Sequence, residues 1–399
     1  MLTSVIYQND SRTTTLLDLP ASVENGQCLR RSRPIHEVNR IFSTKPPEQP
    51  YPSLEPKGLK RAKLQAQTPR TEQEHHDKLQ ALISDSLREI RSALGERQWL
   101  RPRQTHLCSL EQPLLVNPGT KVDQICSEPP VILSSIPNVF SVVGDIADRM
   151  VSNPSNLSTS LMIDSHAYLI PPRSTFILSD VRRLYPPIEA LSNCLLPGSF
   201  DLIIMDPPWQ NRSVRHANVY KTSENRTEDP FLHVLPVLES HLRADGLVGI
   251  WVTNKASIRQ LVLSSLHEKG FGLYEEWVWM KTTINGDPVT ALDGLWRRPY
   301  EVLLLFRKRN GCRCRTADAS DQADISICAT GIPYRIFVAV PNHHSQKPCL
   351  KEFIEPLLAD PTNYRALEIF ARNLTADWFC WGDEVLKFSW EGHWGRVGG

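Results

Sequence analysis

Leu202-Ile203-Ile204-Met205-Asp206-Pro207-Pro208-Trp209 is the stretch on which the reading of this chain turns. Four consecutive apolar residues form a strand covered on both faces. The acid, two prolines and an aromatic then stop it abruptly. The prolines fix two backbone φ angles and contribute no N–H, so the Asp206 and Pro207 carbonyls are preset acceptors at a strand's carboxyl end. In an open α/β sheet that is where ligands bind.

Working outward, short apolar runs alternate with helical patterns from about residue 165, which predicts an α/β sheet flanked by helices. Strands are expected at Thr175 to Leu178, Asp201 to Met205, Leu247 to Val252, Glu276 to Met280, Val302 to Phe306, Arg335 to Val340 and Ala366 to Phe370. Helices are expected at Pro230 to Leu242, Ser257 to Lys269 and Leu350 to Leu358. Upstream, Leu79, Leu82, Ile83, Leu87, Ile90 and Leu94 recur at spacings of three and four, so residues 72–98 form a helix with one apolar stripe, stopped by Gly95. Such a stripe buries itself, by default within its own chain. Residues 1–70, punctuated by Pro34, Pro46, Pro47, Pro50, Pro52, Pro56 and Pro69, read as a flexible basic arm. Within that arm Lys57, Lys60, Arg61, Lys63 and Arg70 are five cations with no acid between them, a pattern suited to nuclear import, phosphate contact or a solvated linker. Residues 71–165 are helical and irregular, with Val139 to Val143 as a candidate strand. A domain spans 166–390, and 391–399 form a tail.

The 399 residues, 41% hydrophobic and 22% charged, exclude a mini-fold and wholesale disorder. A formal charge of +1 means that nucleic acid, if bound, meets local basic patches and no global field. The nine cysteines include no CxxC pair, which argues against a structural zinc site and for reduced thiols. No apolar run reaches the length of a membrane span or a signal peptide. The expectation is therefore an intracellular protein without metal or membrane.

An acidic, rigid turn beside an aromatic suits one chemical problem, the exocyclic amine of a nucleobase, whose lone pair is delocalised into the ring. If Asp206 and the Pro207 carbonyl accept its two hydrogens, the nitrogen can pyramidalise toward an electrophilic methyl group while fixed dipoles stabilise the developing charge. Trp209 would stack on a base extruded from its strand. The competing structural reading is a Pro-Pro turn whose Asp caps a backbone amide and whose Trp packs. Arg212, Arg215, Arg297 and Arg298 lie in basic loops beside this turn and could hold phosphates through bidentate forks.

Asp206-Pro207-Pro208-Trp209 with Gln210-Asn211-Arg212-Ser213-Val214 resembles the MT-A70 family of S-adenosylmethionine-dependent adenine-N6 methyltransferases, specifically its methyltransferase-like protein four branch. Further segments follow in register over residues 165–390: Trp251-Val252-Thr253-Asn254, Arg298-Pro299-Tyr300-Glu301, Ser345-Gln346-Lys347-Pro348, Glu368-Ile369-Phe370-Ala371-Arg372-Asn373-Leu374 and Trp381-Gly382-Asp383-Glu384. The resemblance implies a Rossmann-like class I methyltransferase fold with a mixed sheet and rearranged motif order, consistent with the absence of a GxGxxG fingerprint. It implies S-adenosylmethionine as cofactor, with Lys347 on the methionine carboxylate and Asp206 on its ammonium. Arg372 and Asn373 would contact ribose and carboxylate, Asp180 would lie beside the cofactor adenine, and Asp383 with Glu384 would take the ribose; Glu368 joins the cofactor set. Asn211, Arg212, Arg215, Arg297, Arg298 and Trp209 make up the expected substrate set. Two positions depart from the family pattern: Asp383, acidic where an amide is usual, can accept from a hydroxyl but not donate, and Gln346 stands where a histidine is common.

The implied substrate is adenine in RNA, with 2′-O-methyladenosine of small nuclear RNA as the branch's specific form and DNA adenine as the rival. The protein is expected to act without a partner subunit, in the nucleus or the cytoplasm. Two other classes compete. A non-catalytic subunit of the same fold would have lost the carboxylate or the aromatic, and both are present. A protein-glutamine methyltransferase would carry an Asn-Pro-Pro-Tyr type of turn.

Overall fold

The apolar runs pair side by side into one long sheet. The computed structural model describes residues 3–29, 39–105, 129–136, 138–181, 198–209, 229–308 and 331–396; Asn211, Arg212 and Arg215 lie outside the described residues. In chain order the strands are β1 Val5–Gln8, β2 Thr14–Leu17, β3 Asn39–Ile41, β4 Val131–Ile132, β5 Asn138–Phe140, β6 Met150–Ser152, β7 Thr159–Ile163, β8 His166–Ile170 and β9 Thr175–Leu178. They continue with β10 Phe200–Met205, β11 Leu242–Val252, β12 Phe271–Lys281, β13 Tyr300–Lys308, β14 Tyr334–Ala339, β15 Ala366–Ile369, β16 Trp378–Gly382 and β17 Trp394–Arg396. The helices of a full turn or more are α1 Leu19–Gly26, α2 Gly58–Gln67, α3 Arg70–Leu94, α4 Pro230–His241 and α5 Ala256–Glu268, followed by the short Lys351–Ile354 turn.

Twelve strands join in the order β1-β2-β14-β12-β13-β11-β10-β15-β16-β9-β6-β4. The central run β11-β10-β15-β16-β9 is parallel, whereas β13 runs antiparallel to both β11 and β12. This is a mixed sheet with helices on its faces, as the MT-A70 resemblance implies. The two-residue alternation of a strand sends Leu202 and Ile204 into one core and Ile203 and Met205 into the other. The core of Ile203 and Met205 holds α3, α4 and α5, and the core of Leu202 and Ile204 holds α1 and the β7–β8 hairpin. All seven expected strands are present, and the α3 stripe is buried against its own chain through Leu79, Ile83, Leu87, Ile90 and Leu94. Gly95, at φ +60°, ends that helix.

Residues 3–29 differ from the flexible arm expected of them. β1 and β2 form a hairpin, and β2 pairs in parallel with β14, so that the sheet begins with the chain's first residues. Leu16 and Leu17 are fully buried. Asp18 then caps α1, its carboxylate accepting the Ala21 N–H at 2.9 Å. The proline-rich stretch that follows is extended and docked: Ile284 donates to the Pro47 carbonyl at 3.0 Å and Tyr51 to the Val289 carbonyl at 2.8 Å. Proline forbids donation but leaves the carbonyl free to accept, so a Pro-rich segment can still edge a folded body.

Candidate active site

β10 and β15 run in register, Ile204 beside Glu368 and Met205 beside Ile369, so their carboxyl ends open at the same level. Asp206 follows the first and Arg372 the second. Phe370 adopts φ +60°, a left-handed conformation rare for a bulky residue, and the chain turns at once after β15. Gly382, at the end of the neighbouring β16, makes room for that turn: a Cβ there would stand 2.9 Å from the Ala371 carbonyl oxygen. The resulting cleft has a volume of about 70 Å³ and is lined by Asp206, Trp251, Lys347, Glu368, Arg372 and Asn373 among others.

Charge dominates it. Lys347 Nζ lies 3.0 Å from Asp206 Oδ2 and 2.7 Å from Glu301 Oε2. Arg372 donates from Nη1 to the same Asp206 oxygen at 2.7 Å and from Nε to Glu384 at 2.9 Å. Lys281 also binds Glu301. Burial alone would push the Glu301 carboxyl up, but the Lys347 and Lys281 ammonium groups outweigh it and hold the carboxyl down at about 2. Burial opposes the charge on Lys347 and Arg372 as well, and their acidic partners raise both above their ordinary values. Glu368 behaves oppositely: burial, reinforced by the Asp206 carboxylate, pushes its pKa to about 8 despite Arg372.

The residues picked out in the sequence fall into three groups. Asp206, Lys347, Glu368, Arg372 and Asn373 line the cleft together. Asp180, Asp383 and Glu384 stand beside it along the same sheet edge: β9 and β16 pair up to Leu178 and Gly382, Ser179 donates to the Gly382 carbonyl at 3.2 Å, and Glu384 is tied in through Arg372. The remaining described residues point elsewhere. Trp209 is 6% exposed, its ring 5.7 Å from Phe231 and its indole N–H donating to the Trp251 carbonyl at 2.8 Å. Pro207 is buried and Pro208 exposed. The Pro207 carbonyl accepts the Trp209 N–H at 2.8 Å, which leaves it one further lone pair. Arg297 is exposed, whereas half-buried Arg298 donates to His76 Nε2 at 2.7 Å and to the Asn254 carbonyl at 3.3 Å.

Glu301, paired with Lys347, and Lys281, paired with Glu301, are groups whose part the sequence left unread. The signal was present, since an acid heading the otherwise apolar run Val302-Leu303-Leu304-Leu305-Phe306 must find a cation when that strand is buried.

Two buried polar atoms of the cleft residues, Asn373 Oδ1 and Gln346 Nε2, have no hydrogen-bond partner. An acceptor, a donor, two cations and a carboxylate converging on one cleft fit a zwitterionic amino acid carrying hydroxyl groups, the chemical description of S-adenosylmethionine. Among the described residues no cluster of His, Cys, Asp and Glu could hold a metal, and no helix is long and apolar enough to cross a membrane.

A family model described as MT-A70 matches residues 200–384. The "N6-methyladenosine RNA methyltransferase MTA1" of Pyricularia oryzae is 30% identical over 99% of this chain and 97% of its own length. Its namesake from Cryphonectria parasitica is 28% identical over 98% and 94%. The "N(6)-adenine-specific methyltransferase METTL4" of Mus musculus is 34% identical over 61% of this chain and 48% of its own.

Proposed function

The chain belongs to the MT-A70 family and is a methyltransferase, and from that premise we propose that it transfers the methyl group of S-adenosylmethionine to N6 of adenine in RNA, with 2′-O-methyladenosine of small nuclear RNA as its preferred form. One observation carries the reading: Asp206, on its rigid turn, shares a single cleft with Lys347 and Arg372. RNA is favoured over DNA by the two RNA methyltransferases that align with almost the whole chain.

When bound, the cofactor supplies an electrophilic methyl carbon. Lys347 and Arg372 would hold its carboxylate, and Asp206 its ammonium. Asn373 and Glu368, the latter protonated below about pH 8, would meet its hydroxyl groups. On the substrate side the Asp206 carboxylate and the free lone pair of the Pro207 carbonyl accept hydrogens of the amino group, which turns the nitrogen lone pair toward the methyl donor. Alignment of the two reactants then supplies much of the acceleration. Trp209 holds the turn in place through Phe231 and the Trp251 carbonyl.

The test is mass spectrometry of nucleosides after incubating purified protein with isotope-labelled cofactor and four oligomers: RNA, RNA carrying 2′-O-methyladenosine, single-stranded DNA and duplex DNA. Label in N6-methyl-2′-O-methyladenosine above all others is expected. Label confined to DNA would move the substrate to the rival class, and no label in any oligomer would overturn the reading.

A further inference from the structure

The helix α2 buries none of its residues. Leu59 is 91% exposed. A gap of about 130 Å³ lies between α2, α3 and residues 292–298, so α2 is not seated as a core helix. It is nevertheless held. Arg61 binds Asp293 at 2.6 Å, and the Lys60 ammonium lies 4.8 Å from the centre of the Trp296 ring. Just ahead of it, the Glu55 carboxylate accepts the backbone N–H groups of Leu295, Trp296 and Arg297 at 2.7, 3.1 and 2.9 Å. That carboxylate fixes the loop with the Trp296 ring 51% exposed.

Lys57, Lys60, Lys63 and Arg297 have no ion-pair partner among the described residues. The outcome is four cations without an ion-pair partner on α2 and the neighbouring loop, Lys60 among them over a half-uncovered indole, on a molecule whose formal charge is only +1. Four residues after Arg297 comes Glu301, which holds Lys347 in the cleft. Trp296 and Glu301 are thus at most about 17 Å apart along the backbone.

We propose that α2 and the Trp296–Arg297 loop form a docking strip for the single-stranded nucleic acid whose adenine enters the cleft. The lysines face its phosphates, and a base outside the cleft stacks on Trp296. An exposed aromatic with a cation already over its face, bordered by unpaired lysines, is the pairing that single-strand binders use: the indole accepts any base and the lysines track the backbone. The inference rests on the reading of the cleft as an adenine methylation site.

The test is fluorescence anisotropy of the full chain with a labelled single-stranded RNA of about twelve nucleotides containing one adenosine, titrated at several salt concentrations. The variants are the triple Lys57→Gln, Lys60→Gln, Lys63→Gln and, separately, Trp296→Ala. Because α2 buries nothing, the triple variant should melt at the temperature of the unaltered chain. The triple variant is expected to reduce the slope of log affinity against log salt by about 2, at roughly 0.7 per phosphate contact. Trp296→Ala is expected to weaken binding about tenfold and leave that slope unchanged. Affinities and slopes equal to those of the unaltered chain overturn the strip, as does a loss of binding to a nuclear-import receptor with RNA binding intact. Failure of the two readings is distinguishable: RNA that binds in this pattern but is never methylated removes the reading of the cleft and keeps the strip, whereas methylation with unaltered slopes does the reverse.

Discussion

Arg372 and Asp206 meet across the ends of two neighbouring parallel strands, guanidinium to carboxylate at 2.7 Å, and the oxygen that Arg372 uses also receives Lys347. Two cations on one oxygen are stable only while that oxygen stays negative. The same arrangement keeps the carboxylate oriented before any substrate arrives, which is the preorganisation that electrostatic catalysis requires.

Replacing Asp206 with Asn should therefore separate chemistry from folding. The amide keeps the shape but loses the charge, and Lys347 and Arg372 are left facing each other. Methyl transfer is expected to fall by at least about 100-fold, the size of effect seen when one preorganised polar group is removed from an active site. Single-turnover assays beside thermal melting check it; activity near that of the unaltered chain would remove Asp206 from the reaction.

Glu368 gives a pH signature. Its carboxyl, at about 8 in the folded chain against an ordinary 4.5, binds a proton more tightly folded than unfolded. Its contribution to stability is complete below about pH 4.5, declines as pH rises and is gone above about 8. His76 works in the opposite sense: burial and Arg298 lower it to about 3, so its contribution grows as pH rises from there to 6.5. The difference between the unaltered chain and Glu368→Gln isolates the first term. Urea unfolding at pH 5, 6.5 and 8 should show the Gln variant gaining on the unaltered chain at each step. A constant difference would mean that Glu368 is charged throughout.

Leu16 is fully buried on the strand that pairs with β14. Leu16→Ala should cost about 2–5 kcal/mol by denaturant unfolding, the range for deleting a leucine side chain from a packed core. A cost near zero would show that the opening hairpin is not part of the sheet in solution.

Gly382→Ala tests the turn that aims Arg372. The new methyl would stand 2.9 Å from the Ala371 carbonyl oxygen and 3.0 Å from its nitrogen, both backbone atoms that cannot rotate away. The expected result is about 1–3 kcal/mol of destabilisation and at least tenfold weaker cofactor binding by calorimetry. Full-strength binding would free the position from that constraint.

Fold and site were legible in the sequence to different depths. The central strands announce themselves because burial on both faces makes them unbroken apolar runs, as in Leu202-Ile203-Ile204-Met205. The opening hairpin did not, because Val5–Gln8 and Thr14–Leu17 are four residues each and mix polar with apolar side chains. Pairing with β14, far along the chain, is what joins this hairpin to the sheet. The β7–β8 hairpin turns through Asp164 and Ser165 at positive φ without a glycine, so it too lacked its usual marker. At the site, Asp206 is legible from its own turn, and Lys347, Glu368 and Arg372 through resemblance; the four converge in one cleft. What the sequence could not give was the hydrogen-bond economy of the turn: the Trp209 N–H is spent on the Pro207 carbonyl and its indole N–H on Trp251.

The pairing of β2 with β14 also bears on how this molecule is made. Residues 14–17 are translated some three hundred codons before their neighbour, residues 334–339, an interval on the order of tens of seconds at ordinary elongation rates. Throughout that wait β2 has only β1 to pair with, and the edge that β14 will take stays open. β2 therefore takes its place beside β14 only after nearly the whole of the catalytic sheet has been made.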